Sequence, residues 1–508
     1  MTTSIPRYAD TVVLGGGTGG ATAAGLLAER TDQSVLLLEA GPDYGPRDGG
    51  GWPAELLDAR NLPPTHSWGF TSGDRYPGRA IPFDRARVIG GCSAHNGCAA
   101  IWGSRLDYDG WAAAGNDGWS AGELLPLFRS VNERLRVRTP ALDETQPFHR
   151  AFLEAAPAVG IPLVDDLNDL DGDLGIAPSP VNVHDGIRWN AAFGYLDPVR
   201  DKANLTVVGN VVADRLIVEN GRVVGAIVVG PDGPRRVDAG RVVLGAGAYG
   251  SPGILLRSGI GDPEELRANG IAPVHDLPGV GRNLHDHPAV ELVYTGTPEL
   301  IERLRAFATD RWLPEEQTIA KARSSSCSEG FDIHLYPVGT PYNDPARRRW
   351  DFVVPVACMT PRSRGHLRIS GADHSLAPLF EHGYVSDTEG ADRRVLVDAV
   401  NLARALACQP PLAGLIGQET GPGPEVRTDA EIAGWVDTHV VHYYHPVGTC
   451  KMGPASDGEA VVDPRGKVHG LEGVYVADAS IIPVVPRANT NIPAAVIGER
   501  VARWLSEA

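Results

Sequence analysis

Short runs of β-branched and apolar residues that end at glycine-rich turns are the clearest hydrophobic pattern of this chain. Residues 9–14 form such a run and lead into the glycine-rich segment 15–20, after which residues 21–30 have helical composition. A second apolar run, residues 34–38, ends at Glu39. The pattern predicts a strand, a glycine turn, a helix and a second strand, which together make a βαβ unit.

Gly15, Gly17 and Gly20 give the turn of this unit the spacing of a dinucleotide-binding fingerprint. Glycines at these positions let the backbone approach a pyrophosphate at the N-terminus of a helix. Glu39 follows Gly20 by 19 residues, where a carboxylate accepts hydrogen bonds from ribose hydroxyls. The strand, the helix, the second strand and the terminal acid together favour dinucleotide binding over a chance turn.

Later hydrophobic runs predict that the sheet continues. Residues 207–218 and 222–229 are predicted to form a hairpin, and residues 241–244 another buried strand. Between residues 297 and 362 the pattern weakens, with serine and arginine clusters and scattered prolines. Because charge runs are usually exposed, this stretch is predicted to be a solvated lid or loop on a second domain.

Composition narrows the class of protein. The chain has 508 residues, a formal net charge of −17, 43% hydrophobic and 21% charged residues, which is typical of a globular protein. The acidic balance disfavours nucleic acid and anionic lipid as partners. No apolar run is long enough to span a bilayer, and no export signal is evident. We therefore expect a cytoplasmic protein with a small-molecule partner and no membrane span.

Cysteine and histidine positions do not predict a metal centre. The six cysteines form no CxxC pair and no zinc-ligand spacing, so they are interpreted as reduced thiols. His442 and His445 are three residues apart, but no third ligand stands at suitable spacing. The sequence therefore predicts no metal.

Residues 87–98, which read Arg-Val-Ile-Gly-Gly-Cys-Ser-Ala-His-Asn-Gly-Cys, resemble a signature of the glucose-methanol-choline oxidoreductases. Further segments resemble other blocks of that family and follow in the same order: 250–261, 277–288, 444–449, 476–480 and 489–491. The resemblance runs from about residue 10 to residue 500. Within the family, the sequence is most similar to choline oxidase around His95 and to aryl-alcohol and hydroxymethylfurfural oxidases around residues 485–493.

The resemblance implies an α/β fold, α+β overall, in which a Rossmann-like FAD-binding domain is interleaved with a substrate domain built on an antiparallel sheet. The FAD-binding domain is expected to comprise residues 1–150, 188–290 and 441–508. The substrate domain is expected to comprise residues 151–187 and 291–440. The implied activity is the FAD-dependent oxidation of a primary alcohol to an aldehyde, with oxygen or another electron acceptor as the second substrate.

His445 and Asn489 occupy the two catalytic positions that the resemblance implies. A neutral imidazole is available near pH 7, so His445 suits the base that takes the hydroxyl proton. An amide can donate a hydrogen bond but cannot take a proton, so Asn489 is expected to position the alcohol. Asn491 is expected to cap a helix from Ile492 to Trp504 that points its positive end at the flavin.

FAD contacts are implied at positions matched from the family segments. The expected set is Gly15, Gly17, Thr18, Gly20, Glu39, Ala40, Gly91, Cys92, His95, Asn96, Gly97, Ala99, Val212, Asp478, Ala479, Asn491 and Ile492.

His95 stands in a context like that in which choline oxidase carries FAD covalently, and this context favours a covalent bond to His95. Gly97 replaces a serine expected there, which leaves a more open face beside the flavin. The carboxylate that binds choline has no secure counterpart, since Glu315, Glu316 and Gln317 lie in its vicinity without a fixed register.

Three alternatives stay open. The family includes hydroxynitrile lyases, which bind FAD without redox chemistry, and the βαβ fingerprint alone would also suit a non-catalytic flavoprotein or an NAD-binding module. The base and amide at His445 and Asn489 speak against the last two. The sequence does not name the alcohol, choose between oxygen and another acceptor, or decide whether the chain forms a homodimer.

Overall fold

The computed structural model describes residues 5–72, 81–307, 316–338 and 352–507. These residues form a mixture of helices and strands, which confirms the predicted fold class. The helices are α1 (Thr18–Arg30), α2 (Ala54–Leu57), α3 (Arg105–Ala113), α4 (Ala121–Arg134), α5 (Pro147–Ala155), α6 (Gly247–Arg257), α7 (Pro263–Ala268), α8 (Pro298–Phe307), α9 (Ala391–Ala407), α10 (Asp429–His439) and α11 (Asn491–Glu507).

The strands are β1 (Tyr8–Leu14), β2 (Val35–Leu38), β3 (Phe70–Thr71), β4 (Pro82–Phe83), β5 (Gly175–Pro178), β6 (Val183–His184), β7 (Ile187–Arg188), β8 (Leu205–Val208), β9 (Val212–Glu219), β10 (Arg222–Gly230), β11 (Gly233–Leu244), β12 (Ile260–Gly261), β13 (His275–Asp276), β14 (Pro288–Gly296), β15 (Thr318–Ala322), β16 (Ile333–Leu335), β17 (Phe352–Cys358), β18 (His366–Arg368), β19 (Leu379–Glu381), β20 (Ile416–Gly421), β21 (Val441–His442) and β22 (Val474–Val476).

The first large sheet has the order β8-β2-β1-β11-β10-β9, and β22 pairs with the end of β11. Strands β8, β2, β1, β11 and β22 run parallel to one another. Strand β10 runs antiparallel to both of its neighbours, β11 and β9. The central strands are buried on both faces, which explains their continuous apolar sequences. The predicted βαβ unit is therefore confirmed, with its first helix beginning at Thr18.

The second large sheet has the order β20-β14-β17-β16-β15-β5, and β21 pairs with β14. Each of its strand pairs is antiparallel. Its strands come from segments that alternate along the chain with those of the first sheet, as expected for interleaved domains. The domain boundaries themselves stay predictions.

Two predictions about secondary structure are wrong. Residues 207–218 are not one strand, because the chain leaves β8 at Val208 and begins β9 at Val212; the hairpin of β9 and β10 is as predicted. Residues 297–362 are not a solvated loop, because their described part contains α8 and the strands β15, β16 and β17. All residues of β15 and β16 are buried, and so are most residues of β17. Pro314 and Arg347–Arg349 lie outside the described residues.

Two helices that are far apart in the sequence pack on each other. Helix α11 packs on α1, and a Cβ on Gly498 would lie 2.4 Å from the carbonyl oxygen of Gly19. Asn491 is the first residue of α11 rather than its N-cap, so the helix begins one residue before the prediction. In the described part of the chain, no helix has the length and apolar character needed to cross a bilayer.

Candidate active site

A cavity of about 940 Å³ lies where residues of both large sheets meet. Its lining includes Val212 of β9 in the first sheet and Val353 of β17 and His442 of β21 in the second. His445 and Asn489 both line this cavity as well. The fold therefore brings the two predicted catalytic residues to the same space as the glycine-rich turn.

The glycine-rich turn forms one end of the cavity. Gly15 has φ 99°, and a Cβ on Gly20 would lie 2.0 Å from the carbonyl oxygen of Gly15. Only glycine fits at these two positions: the positive φ requires it at Gly15, and the close approach of the backbone requires it at Gly20. Gly17 is different, because a Cβ there would meet only the Gly245 carbonyl oxygen, at 3.3 Å. Gly17 thus presents open backbone to the cavity at the N-terminus of α1.

Glu39 lies at the end of β2 beside this turn and is only 6% exposed. Its carboxylate accepts hydrogen bonds from the backbone N–H groups of Gly16, at 2.7 Å, and Gly41, at 2.8 Å. Burial raises the pKa of Glu39 to about 7, against the lowering effect of these backbone donors. Its contact with a ribose stays a prediction.

Most of the predicted FAD-contacting residues share this cavity. Those in its lining are Gly15, Gly17, Thr18, Glu39, Ala40, Gly91, Cys92, His95, Asn96, Gly97, Ala99, Val212, Asp478, Ala479 and Asn491. Gly20 lies behind the turn, and Ile492 is buried within α11, so neither is in the lining. The contact of each residue in the expected set with FAD stays a prediction.

His95 follows a short 3-10 turn, Gly91–Ala94, in the wall of the cavity. Its Nε2 lies 2.6 Å from the carbonyl oxygen of Thr65, which can only accept, so Nε2 carries the proton. Burial lowers the pKa of His95 and keeps the ring neutral. At Gly97 a Cβ would have only Glu316 Oε1 nearby, at 3.9 Å, in agreement with the open face expected there.

His445 is 6% exposed and makes its side-chain contact with a second histidine. The Nδ1 atoms of His287 and His445 are 2.9 Å apart. Burial and the neighbouring His287 lower the pKa of His445 well below its usual value. His445 is therefore neutral at pH 7, but its pKa is lower than the near-neutral value expected from the sequence.

Asp286, His287 and His445 present ligand atoms within 4.8 Å of one another, a grouping that could hold a metal ion. Two of the contacts in this group are hydrogen bonds: Nδ1 of His287 pairs with Nδ1 of His445, and Asp286 accepts from the His445 N–H at 2.9 Å. His442 does not join them, because its Nε2 pairs with the Pro82 carbonyl oxygen at 2.8 Å. The absence of a metal stays a prediction.

Asn489 faces the cavity with a carboxylate beside it. Its Nδ2 donates to Glu316 Oε2 at 3.1 Å, and its Oδ1 is buried without a hydrogen-bond partner in the described structure. Tyr336 and Tyr443 also line the cavity and stack with their ring centroids 4.7 Å apart. Of the three residues near the position of a substrate-binding carboxylate, Glu316 lines the cavity, Gln317 does not, and Glu315 lies outside the described residues.

Three residues of this site were missed by the sequence reasoning: His287, Arg85 and Asp286. His287 and Asp286 belong to the segment 277–288 that carries the family resemblance, and that segment was the available signal. Arg85 precedes the segment 87–98 by two residues. Its contact with the backbone near His445 spans 359 residues, which no local pattern could indicate.

Comparison with known proteins identifies the family of this chain. Models of the N-terminal and C-terminal parts of GMC oxidoreductase match residues 9–289 and 361–498. The chain belongs to the GMC oxidoreductase family. This oxidoreductase is 34% identical to the oxygen-dependent choline dehydrogenase of Chromohalobacter salexigens, over 97% of this chain and 94% of that protein. It is 33% identical to the enzyme of the same name from Brucella ovis, over 97% and 95%.

Solved structures of similar proteins include pyridoxine 4-oxidase from Mesorbium loti. It is 29% identical, has a TM-score of 0.87 and covers 98% of this chain and 99% of its own. A fungal aryl-alcohol oxidase, 22% identical with a TM-score of 0.83 over 99% of both chains, shares the fold. This GMC oxidoreductase is an FAD-dependent enzyme acting on CH–OH groups, as the redox hypothesis predicts.

The residues present fit FAD. The open backbone at Gly17, the start of α1 and the Glu39 carboxylate line one end of the cavity, where a pyrophosphate and a ribose would lie. Near Asn489, Asn491 Nδ2 is buried without a hydrogen-bond partner in the described residues. A buried amide left unpaired is unfavourable, so a polar ligand is expected against it.

Proposed function

We propose that this oxidoreductase converts a primary alcohol to its aldehyde, with His445 as the base that takes the hydroxyl proton. The observation that carries the proposal is the buried contact between His287 and His445, 2.9 Å from Nδ1 to Nδ1. Of the two, His445 lines the cavity that also contains the dinucleotide turn. Two neutral imidazoles in such a contact fix each other's tautomers, since one Nδ1 must donate and the other accept.

The proposed role of His445 selects one of the two arrangements. Nε2 of His445 can take the hydroxyl proton only if it carries a lone pair, so we assign the proton of His445 to Nδ1, which donates to Nδ1 of His287. The proton of His287 is then on Nε2. Burial lowers the pKa of His287 to about 3, so this ring is neutral as well.

The reaction follows from this assignment. Bound FAD would supply the acceptor for one hydride, which carries both electrons of the oxidation. His445 Nε2 takes the hydroxyl proton, the C–H bond breaks with its electron pair, and the C–O bond becomes the aldehyde carbonyl. Asn489 holds the alcohol oxygen through its second N–H while the first stays on Glu316. Burial of both residues excludes bulk water from the reacting atoms.

We further propose that the preferred alcohol carries a cationic group, as choline does. Glu316 presents a carboxylate to the cavity beside the ring faces of Tyr336 and Tyr443. A carboxylate next to aromatic faces is the arrangement that attracts ammonium groups. The curated relatives named choline dehydrogenase support the same class of substrate.

The His445→Ala variant tests the proposed base. It should retain FAD and lower the rate of anaerobic flavin reduction by about 100- to 10,000-fold, as for a lost general base. Asn489→Ala should lower the rate less, and Asn489→His should be tolerated. A fall of less than about tenfold in His445→Ala, below the range for a base, would assign proton abstraction to another residue. Absence of any bleaching in wild type by a broad alcohol panel would favour the lyase.

A pair of isosteric alcohols tests the cationic substrate. Choline and 3,3-dimethylbutan-1-ol have the same shape, but only choline is charged. The wild-type enzyme should prefer choline in kcat/KM, and Glu316→Gln should remove most of that preference, which is about tenfold or more for a desolvated cation on aromatic faces. Equal values for the two alcohols in wild type would refute the cationic class while leaving the role of His445 intact.

Oxygen is our proposed electron acceptor, because the open position at Gly97 leaves space beside the predicted flavin site. Hydrogen peroxide should form in a one-to-one ratio with aldehyde in air. If peroxide is absent and a dye such as dichlorophenolindophenol is reduced instead, the enzyme is a dehydrogenase.

A further inference from the structure

The peptide group between Tyr444 and His445 lies between two oppositely charged side chains. The Arg85 guanidinium donates from Nη1 and Nη2, each at 3.1 Å, to the carbonyl oxygen of Tyr444. On the other side of the same peptide group, Asp286 Oδ1 accepts from the His445 N–H at 2.9 Å. We propose that Arg85 and Asp286 are positioning residues that clamp this peptide and thereby fix the side chain of His445.

The backbone at Tyr444 shows why a clamp is needed. Tyr444 has φ 63°, in the left-handed region that is unfavourable for an aromatic residue. Such a conformation persists only where the surrounding structure holds it. Tyr444 is 42% exposed, and its ring packs on the ring of His442, with the centroids 3.9 Å apart. Charged partners at both ends of the next peptide group supply hydrogen bonds stronger than neutral ones.

Arg85 lines the cavity, and three of its five N–H donors are directed at the backbone. Its Nη1 and Nη2 share the Tyr444 carbonyl, and its Nε donates to the carbonyl oxygen of Asp84 at 2.6 Å. The guanidinium also lies over the Tyr444 ring, 5.8 Å from its centroid. Arg85 thus holds the turn before His445 through two main-chain carbonyls, which distinguishes it from a residue that acts by binding the alcohol.

Asp286 is held in turn. It is 2% exposed, and its second oxygen, Oδ2, accepts from the Tyr384 hydroxyl at 2.9 Å. Asp286 immediately precedes His287, the histidine that contacts the ring of His445. The dipeptide Asp286-His287 therefore fixes both the backbone and the ring of His445. A displacement of the base of about 1 Å is enough to slow a reaction by about 100-fold.

The inference rests on the proposed function, in which His445 is the base, and anaerobic stopped-flow kinetics test both. The variants are Arg85→Met, Asp286→Ala, Asp286→Asn, the double variant Arg85→Met/Asp286→Ala and His445→Ala, with the best alcohol of the panel as substrate. Each of the first two should reduce the limiting rate of flavin reduction by about 10- to 100-fold. The substrate Kd should change by less than about threefold, since the clamp does not touch the alcohol.

Two comparisons separate a clamp from a general structural role. Asp286→Asn keeps an oxygen that can accept from the His445 N–H, so it should restore the rate to within about fivefold of wild type. The double variant should be no slower than the slower single variant, because both residues hold one peptide group. Arg393→Met, which removes a partly exposed ion pair with Asp437 between α9 and α10, is the matched control and should leave the rate unchanged.

The outcomes distinguish the two proposals. If His445→Ala is slow but Arg85→Met and Asp286→Ala react at the wild-type rate, the clamp is refuted and the base is retained. If the effects of the two single variants multiply in the double variant, or if Arg85→Met raises the substrate Kd instead of lowering the rate, Arg85 acts separately and the clamp is also refuted. If His445→Ala is as fast as wild type, the proposed function itself fails.

Discussion

His287 and His445 share one hydrogen bond between their Nδ1 atoms, and both rings are buried. Replacement of His287 by Leu leaves His445 Nδ1 without this partner, so the proton of His445 can move to the nitrogen that should stay free. We expect flavin reduction to slow by about 10- to 1,000-fold, as when a catalytic histidine loses the group that fixes its tautomer. His287→Asn, whose amide oxygen can accept, should recover part of the rate. Equal rates in His287→Leu and wild type would contradict the assignment.

The glycines of the first turn should respond differently to a side chain. Gly17→Val should give folded protein without FAD, because the branch points into the cavity. Gly20→Val should be poorly soluble, because its Cβ would lie 2.0 Å from the Gly15 carbonyl oxygen. Gly122→Ala in α4, where a Cβ meets nothing within 4 Å, is the control. The measurements are flavin absorbance per protein and melting temperature, and full flavin content in Gly17→Val would contradict the site.

FAD should remain attached to His95 after denaturation. Acid precipitation should leave the yellow colour with the polypeptide, and His95→Ala should release it into the supernatant. Nε2 of His95 donates its proton to the carbonyl oxygen of Thr65, so a bond from Nε2 to the flavin requires that this hydrogen bond be broken. Nδ1 carries a lone pair and can form the bond to the flavin without that step. Mass spectrometry of the flavin peptide would identify the linked nitrogen. Release of all flavin from wild type by acid would refute the covalent bond alone.

Glu39 should make the stability of the apoprotein depend on pH. Its pKa is about 7 in the folded chain and near 4.5 when unfolded, so the folded state binds more protons between these values. Stability therefore decreases as pH rises through this window, by about 3 kcal/mol from this group. Glu39→Gln should lack that decrease. Chemical unfolding of both apoproteins from pH 4.5 to 7.5 measures the difference, and parallel curves would contradict the raised pKa.

How much of the fold and of the site can be predicted depends on how far apart the interacting residues stand in the sequence. The βαβ unit and Glu39 were predicted because a strand, a turn, a helix and an acid follow one another within thirty-odd residues. Strands β15 and β16 were missed because five and three residues are too short to show a period. The partners of Glu316 and Arg85 could not be predicted, since they lie 173 and 359 residues away.

The packing of α11 on α1 has a consequence for synthesis of the chain. Asn489, Asn491 and α11 follow α1 only after most of the intervening chain. A growing chain can form the glycine turn early, but α11 and Asn489 join it only after the segments between them have been synthesised. Chains interrupted before α11 expose the apolar face of α1 that α11 covers, and exposed apolar surface is what chaperones and proteases act on. Such chains lack Asn489 as well as the cover of α1.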